Sequence, residues 1–171
     1  MPCNIVEGVA LLCNDGASGI KKAWITEFAN VSTYTETSGT ITAITQAAST
    51  KFWLLDLTPE NAMLVENNAG DLNKSYKSEQ VLTFTVNKPT AKLRNWIKVA
   101  VQNRLIVIVL DANDTYKIMG LTRGAYVESA NTTSGKMQGE FSGSTLTLKA
   151  NEPQDCYFVQ SSVVTGLSVG A

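Results

Sequence analysis

A chain of 171 residues, 44% hydrophobic and 17% charged, can bury a core of its own and is too apolar for a disordered segment. Its 14 basic and 15 acidic residues leave a formal charge of −1, which excludes a basic field for gripping nucleic acid and gives copies little mutual repulsion. Histidine is absent, so neither a Ser-His-Asp nor a Cys-His site can be built, and the commonest metal ligand is missing.

Nineteen threonines, β-branched and suited to a half-exposed pleat, lean the chain toward strand. At the start, Val9 to Cys13 is an apolar run. No basic residues precede it, and Glu7 and Asp15 flank it closely, so it does not read as a secretory signal. No stretch of 18 apolar residues occurs, and no membrane contact is expected. Cys3, Cys13 and Cys156 are odd in number and lack C-x-x-C spacing; they read as free thiols, with a Cys3–Cys13 bridge as the alternative.

Asn14-Asp15-Gly16 and Ser18-Gly19 form a turn cluster, followed by a strand over 23–28. Residues 31–50, rich in Thr and Ser, fit either a hairpin turning at Ser38-Gly39 or a polar loop. Residues 51–57 predict a strand buried on both faces, because Leu54-Leu55 puts an apolar side chain on each. Residues 62–66 fit a strand or a helical turn. The polar stretch 66–80 predicts a long loop or arm with Leu72 and Tyr76 as its large apolar groups. Leu82, Phe84 and Val86 then alternate with Thr83 and Thr85, the period of a strand with one buried face.

One helix is predicted, about residues 90–102. Thr90 is the N-cap, Leu93, Trp96, Ile97, Ala100 and Val101 form an apolar stripe, and Asn103 is the left-handed terminator. Six aliphatics, Leu105 to Leu110, read as a central strand. Asp111 to Asp114 turns it into a partner over 115–119. A further strand spans 120–129, with Ala125 and Val127 on one side and Tyr126 on the other. Asn131 to Gly135 reads as a turn, 141–148 as a turn leading into a strand, and 157–159 as the last paired segment, before a small, weakly structured tail. The eight strands and one helix predict a mainly β fold, a β-sandwich or barrel with one flanking helix, in a single domain over 1–171 with flexible termini.

No motif in the chain carries chemistry. The alternate oxygens of Asp111-Ala112-Asn113-Asp114 suggest calcium, but the sixth and twelfth positions of that loop are Tyr116 and Thr122 rather than Gly and Glu, so a hairpin turn is the reading. Gly135, Gly139 and Gly143 belong to a turn and bulge. Trp24, Trp53 and Trp96 lie in apolar segments and read as core. The functional alternative is stacking on a sugar or base, which requires exposed rings. No catalytic, cofactor-binding or metal-binding residue is assigned.

The run QVLTFTVNK, the helix KLRNWIKVAVQNR, the strand LIVIVLD, the hairpin NDTYKIMG and the segment SGKMQGEFSGSTLTLKANEP resemble, in that order, tail tube proteins of tailed bacteriophages. The opening CNIVEGVALLCNDGASGIKKAWITEFANV is similar to the start of a group of phage virion proteins. The likeness covers residues 3–31 and 80–153. It implies a β subunit with an attached helix that forms rings, commonly hexameric. The rings stack into a tube through which DNA passes without specific binding. The implied partners are other copies and other tail or neck proteins, and the implied location is the virion after synthesis in the host cytoplasm. A capsid-decorating or neck protein and a carbohydrate-binding β-sandwich are the alternatives. Leu64, Val65, Leu72 and Tyr76, apolar residues in or beside the polar arm, are the expected subunit contacts.

Overall fold

The computed structural model describes residues 17–55, 57, 60–70 and 76–170. These residues form a mainly β fold of two packed sheets with a flanking helix. In chain order the elements are β1 (Ile20–Glu27), a 3-10 turn (Phe28–Asn30), β2 (Val31–Thr37), β3 (Thr40–Gln46), β4 (Phe52–Leu55), β5 (Ala62–Gly70) and β6 (Tyr76–Asn87). Then come α1 (Ala91–Ala100), β7 (Leu105–Asp111), β8 (Tyr116–Met119), β9 (Tyr126–Thr133), β10 (Gly143–Glu152), β11 (Tyr157–Val159), α2 (Ser161–Gly166) and β12 (Val169–Gly170). Eight strands, ordered β12-β4-β1-β7-β8-β11-β3-β2, make a curled half-barrel; the other four, ordered β5-β6-β10-β9, make a second sheet.

The run of aliphatics in β7 serves both faces of the large sheet. Leu105, Val107 and Val109 point to the small sheet and pack with Leu82, Phe84, Leu146 and Leu148. Ile106 and Ile108 point into the curl, with Ile41, Phe52, Ile118 and two residues from the tail, Val164 and Leu167. Strict two-residue alternation thus builds two cores from one strand. The tail is accordingly structured, as α2 and β12, because its aliphatics fill the half-barrel. The curl is clasped by Gln46. Its side-chain amide accepts from the Ser168 N–H at 2.7 Å and donates to the Ser168 carbonyl at 3.3 Å, as a neighbouring strand would.

Residues 31–46 form the hairpin rather than the loop. Ser38 and Gly39, at φ 52° and 80°, make its two-residue turn. The polar stretch 66–80 is an arm built of strand. Residues 66–70 and 76–80 pair from Glu66↔Gln80 to Gly70↔Tyr76, so its backbone is satisfied by a ladder despite polar side chains. Other departures have local causes. Trp53 and Leu54 are exposed on β4, whose buried contacts come from its two ends, Phe52 in the curl and Leu55 on the inter-sheet core. Val101 lies past the last helical turn and is exposed. Asn103 stops the helix through its side-chain amide, which donates to the Val99 carbonyl, and not through a left-handed backbone. Asn131 to Thr133 continue β9 because β10 pairs with them.

The predicted N-cap is in place: the Leu93 N–H donates to the Thr90 hydroxyl at 3.1 Å. Trp96, Ile97 and Ala100 then hold α1 against the inter-sheet core. Among the described residues no helix is long and apolar enough to cross a membrane.

Candidate assembly surfaces

Among the described residues each sheet ends in strands with one unpaired edge: β5 and β9 in the small sheet, β2 and β12 in the large one. Such edges present free N–H and C=O groups to another chain. The outward face of the small sheet carries Thr83, Thr85, Thr145 and Thr147, in cross-strand register Thr83↔Thr147 and Thr85↔Thr145, beside Met63 and Val65 of β5. Farther along this face Lys149 bridges Glu79 at 3.1 Å and Glu128 at 3.3 Å, and Lys77 lies 3.7 Å from Glu79. The cluster holds two cations and two anions, so the face carries almost no field. The hydrogen bond from Lys149 lowers the Glu79 carboxyl and raises the Lys149 ammonium.

Of the four expected contact residues, Leu64 and Val65 lie on β5 just before the arm and Tyr76 lies within it. Leu64 points inward and packs on the core, whereas Val65 points to the threonine face beside Met63, which is 59% exposed. Tyr76 is 48% exposed at the start of β6, and its hydroxyl donates to Asp155 at 2.5 Å. That bond to a carboxylate pushes the phenol up to about 12 and keeps it a donor. Leu72 lies outside the described residues.

The arm is anchored by Glu66. One oxygen of its carboxylate meets Lys117 at 2.7 Å and the other accepts from the Cys156 N–H at 3.0 Å. Burial pulls Lys117 down, but the hydrogen bond and charge of Glu66 outweigh it, and the ammonium is raised. Beside this pair Gln80, 2% exposed, accepts from Gly120 N–H and donates to the Gln154 carbonyl, both at 3.1 Å. These groups tie the arm to the large sheet.

A second surface was not legible in the sequence. An open cleft of 620 Å³ lies between α1 and β4, lined by Trp53, Leu54, Leu93, Trp96 and Val99. Trp53 is 50%, Leu54 43% and Val99 54% exposed. Their runs resemble core because exposed and buried aliphatics sit in adjacent positions. Trp53 is seated against Gly170, where an added Cβ would come 2.5 Å from its ring.

The residues weighed for chemistry have structural roles. Asp111 Oδ1 accepts from the Asn113 and Thr115 N–H groups, which closes the hairpin turn. Among the described residues no three His, Cys, Asp or Glu side chains gather as metal ligands. Cys156 is a buried free thiol, and burial pushes its ionisation up; Cys3 and Cys13 lie outside the described residues. No known protein family, curated protein or solved structure matches the chain.

Proposed function

We propose that this chain is a non-enzymatic phage virion protein, a tail tube subunit whose copies join head to tail into rings and whose rings stack around a passage for DNA. The observation that supports this reading is the four-stranded sheet, open at both edges among the described residues, with a threonine-bearing face whose few charges cancel. Joining β5 of one copy to β9 of the next continues the sheet, and closing the ring removes both free edges of the small sheet. Six copies would give a barrel of about 24 strands. At about 4.8 Å per strand its wall is about 37 Å across before tilt, leaving a lumen of about 25 Å inside the side chains. A neutral hydroxyl surface facing that lumen would let a polyanion slide, since a basic one would hold it.

The arm extends the same logic. Val65 and Tyr76, with Leu64 behind them and Leu72 beyond, are the residues by which it meets a neighbour. Other tail or neck proteins would cap the finished tube. Light scattering and negative-stain microscopy of the purified chain test the reading. Rings or tubes are expected; a monodisperse monomer at high concentration overturns it.

A further inference from the structure

We infer that β9 of one copy pairs antiparallel with β5 of the next after sliding four residues along it toward the arm, and that this slide leans the strands of the tube wall about 35° from its axis. The inference rests on the self-assembly proposed above and adds the polarity and register of its joint.

The polarity follows from the sheet. All its neighbouring strands are antiparallel, so in the order β5-β6-β10-β9 the two edge strands run in opposite directions. Rotation about a ring axis keeps the direction of every strand, and β5 therefore meets the next copy's β9 antiparallel.

The register follows from where the edge strands stop. Across the sheet Val65, Val81, Lys149 and Tyr126 form one row. Beyond this row β5 continues as the arm, from Glu66 to Gly70. The other way β9 continues to Thr133, level with Asn87 and past the end of β5 at Ala62. A level joint would pair only residues 62–65 of β5 and leave both the arm and Asn131 to Thr133 open. The slide must be even, because an odd one turns the inward Val127 and Ala130 to the outward face. Two residues leave Thr133 beyond β5 at one end, and six leave Tyr126 beyond it at the other. Four seat the whole of β9 between Met63 and Ala69.

The same slide meets the demand of closure, since a sheet can close only with tilted strands. Four strands at about 4.8 Å span about 19 Å, and four residues at about 3.4 Å rise about 14 Å. Their ratio is a lean of about 35°, within the range of closed barrels. The joint also gives the polar arm a partner for its open edge. The Thr85 N–H donates to the Asn61 carbonyl, so alternate residues Leu64, Glu66 and Asn68 turn their N–H groups to that edge. In the slid joint Ala130 of the next copy stands opposite Glu66, and its Ser129 opposite Asn67.

The test uses the full chain with Cys3→Ser and Cys13→Ser. One variant adds Asn67→Cys and Ser129→Cys, the pair opposed in the slid joint. A second adds Met63→Cys and Ser129→Cys, the pair a level joint would oppose. All these positions lie on the outward face, and opposed residues on antiparallel strands are within disulfide reach. Circular dichroism and thermal melting establish folding. After mild oxidation of the assembled protein, the first variant should give a ladder of covalent oligomers at least about tenfold stronger than the second. The reverse overturns the slide and leaves the edge-joined ring standing. Assemblies in which neither pair cross-links overturn the β5–β9 joint itself. A second readout needs no substitution. On assembly of wild type, amide exchange at Glu66 and Asn68 should slow at least about tenfold. Unchanged exchange there overturns the slide, because a level joint leaves both amides open. A wild type that never assembles overturns the ring as well.

Discussion

Gly120 stands at φ +74°, and a Cβ there would lie 2.6 Å from the Ala125 nitrogen and 2.9 Å from the Leu105 carbonyl oxygen. Both are backbone atoms that cannot swing aside. Gly120→Ala should therefore cost about 2–4 kcal/mol in urea unfolding, more than the Gly-to-Ala penalty of a strained turn alone. The Glu66–Lys117 pair sets a pH signature. Because the folded-state ammonium is raised, its stabilisation is complete below the ordinary lysine range, about 10.4, and fades as pH climbs through the higher folded value. Urea midpoints should fall on that alkaline side in wild type and fall less in Glu66→Gln. Tyr76 offers a separate check: in ultraviolet difference titration Asp155→Asn should bring one tyrosine down from about 12 toward its ordinary value.

Single hydrogen bonds decide two larger pieces. Thr90→Ala removes the cap from α1 and should cost about 1 kcal/mol. Gln46→Ala unclasps the half-barrel; the expected loss is about 1–2 kcal/mol, with faster amide exchange at Ser168.

These elements differ in how far the sequence revealed them. The helix, β6 and β7 were legible because each buries one regular stripe or a continuous run against a core: Trp96, Ile97 and Ala100 at helical spacing, Leu82 and Phe84 at spacing two. The arm was legible only as polarity. Its strands are held by the Glu66↔Gln80 ladder and by Lys117, fifty-one positions away, which no local pattern encodes. The tail failed for a related reason. Val164 and Leu167 look too sparse for structure until the curl of the large sheet supplies Ile41 and Phe52 opposite them. Of the proposed contacts, Tyr76 was readable as an apolar group in a polar run and Val65 as the end of an apolar one. The cleft was not, since Trp53-Leu54-Leu55 has the composition of a core strand and its exposure is set by β12 and α1.

At the scale of the whole molecule, a formal charge of −1 and a sequence pI of about 5.5 leave little to hold copies apart. Scattering at fixed concentration should rise as pH is lowered toward 5.5, where net charge vanishes. The shape of β7 has a broader effect. As the shared wall of two chambers, it reports damage to different places from neighbouring positions. Truncating Val107 loosens the seat of the arm and α1, whereas truncating Ile108 loosens the clasped tail. Substitutions walked along this wall should sort into two phenotypes by parity, one loosening the small sheet and the other the curl.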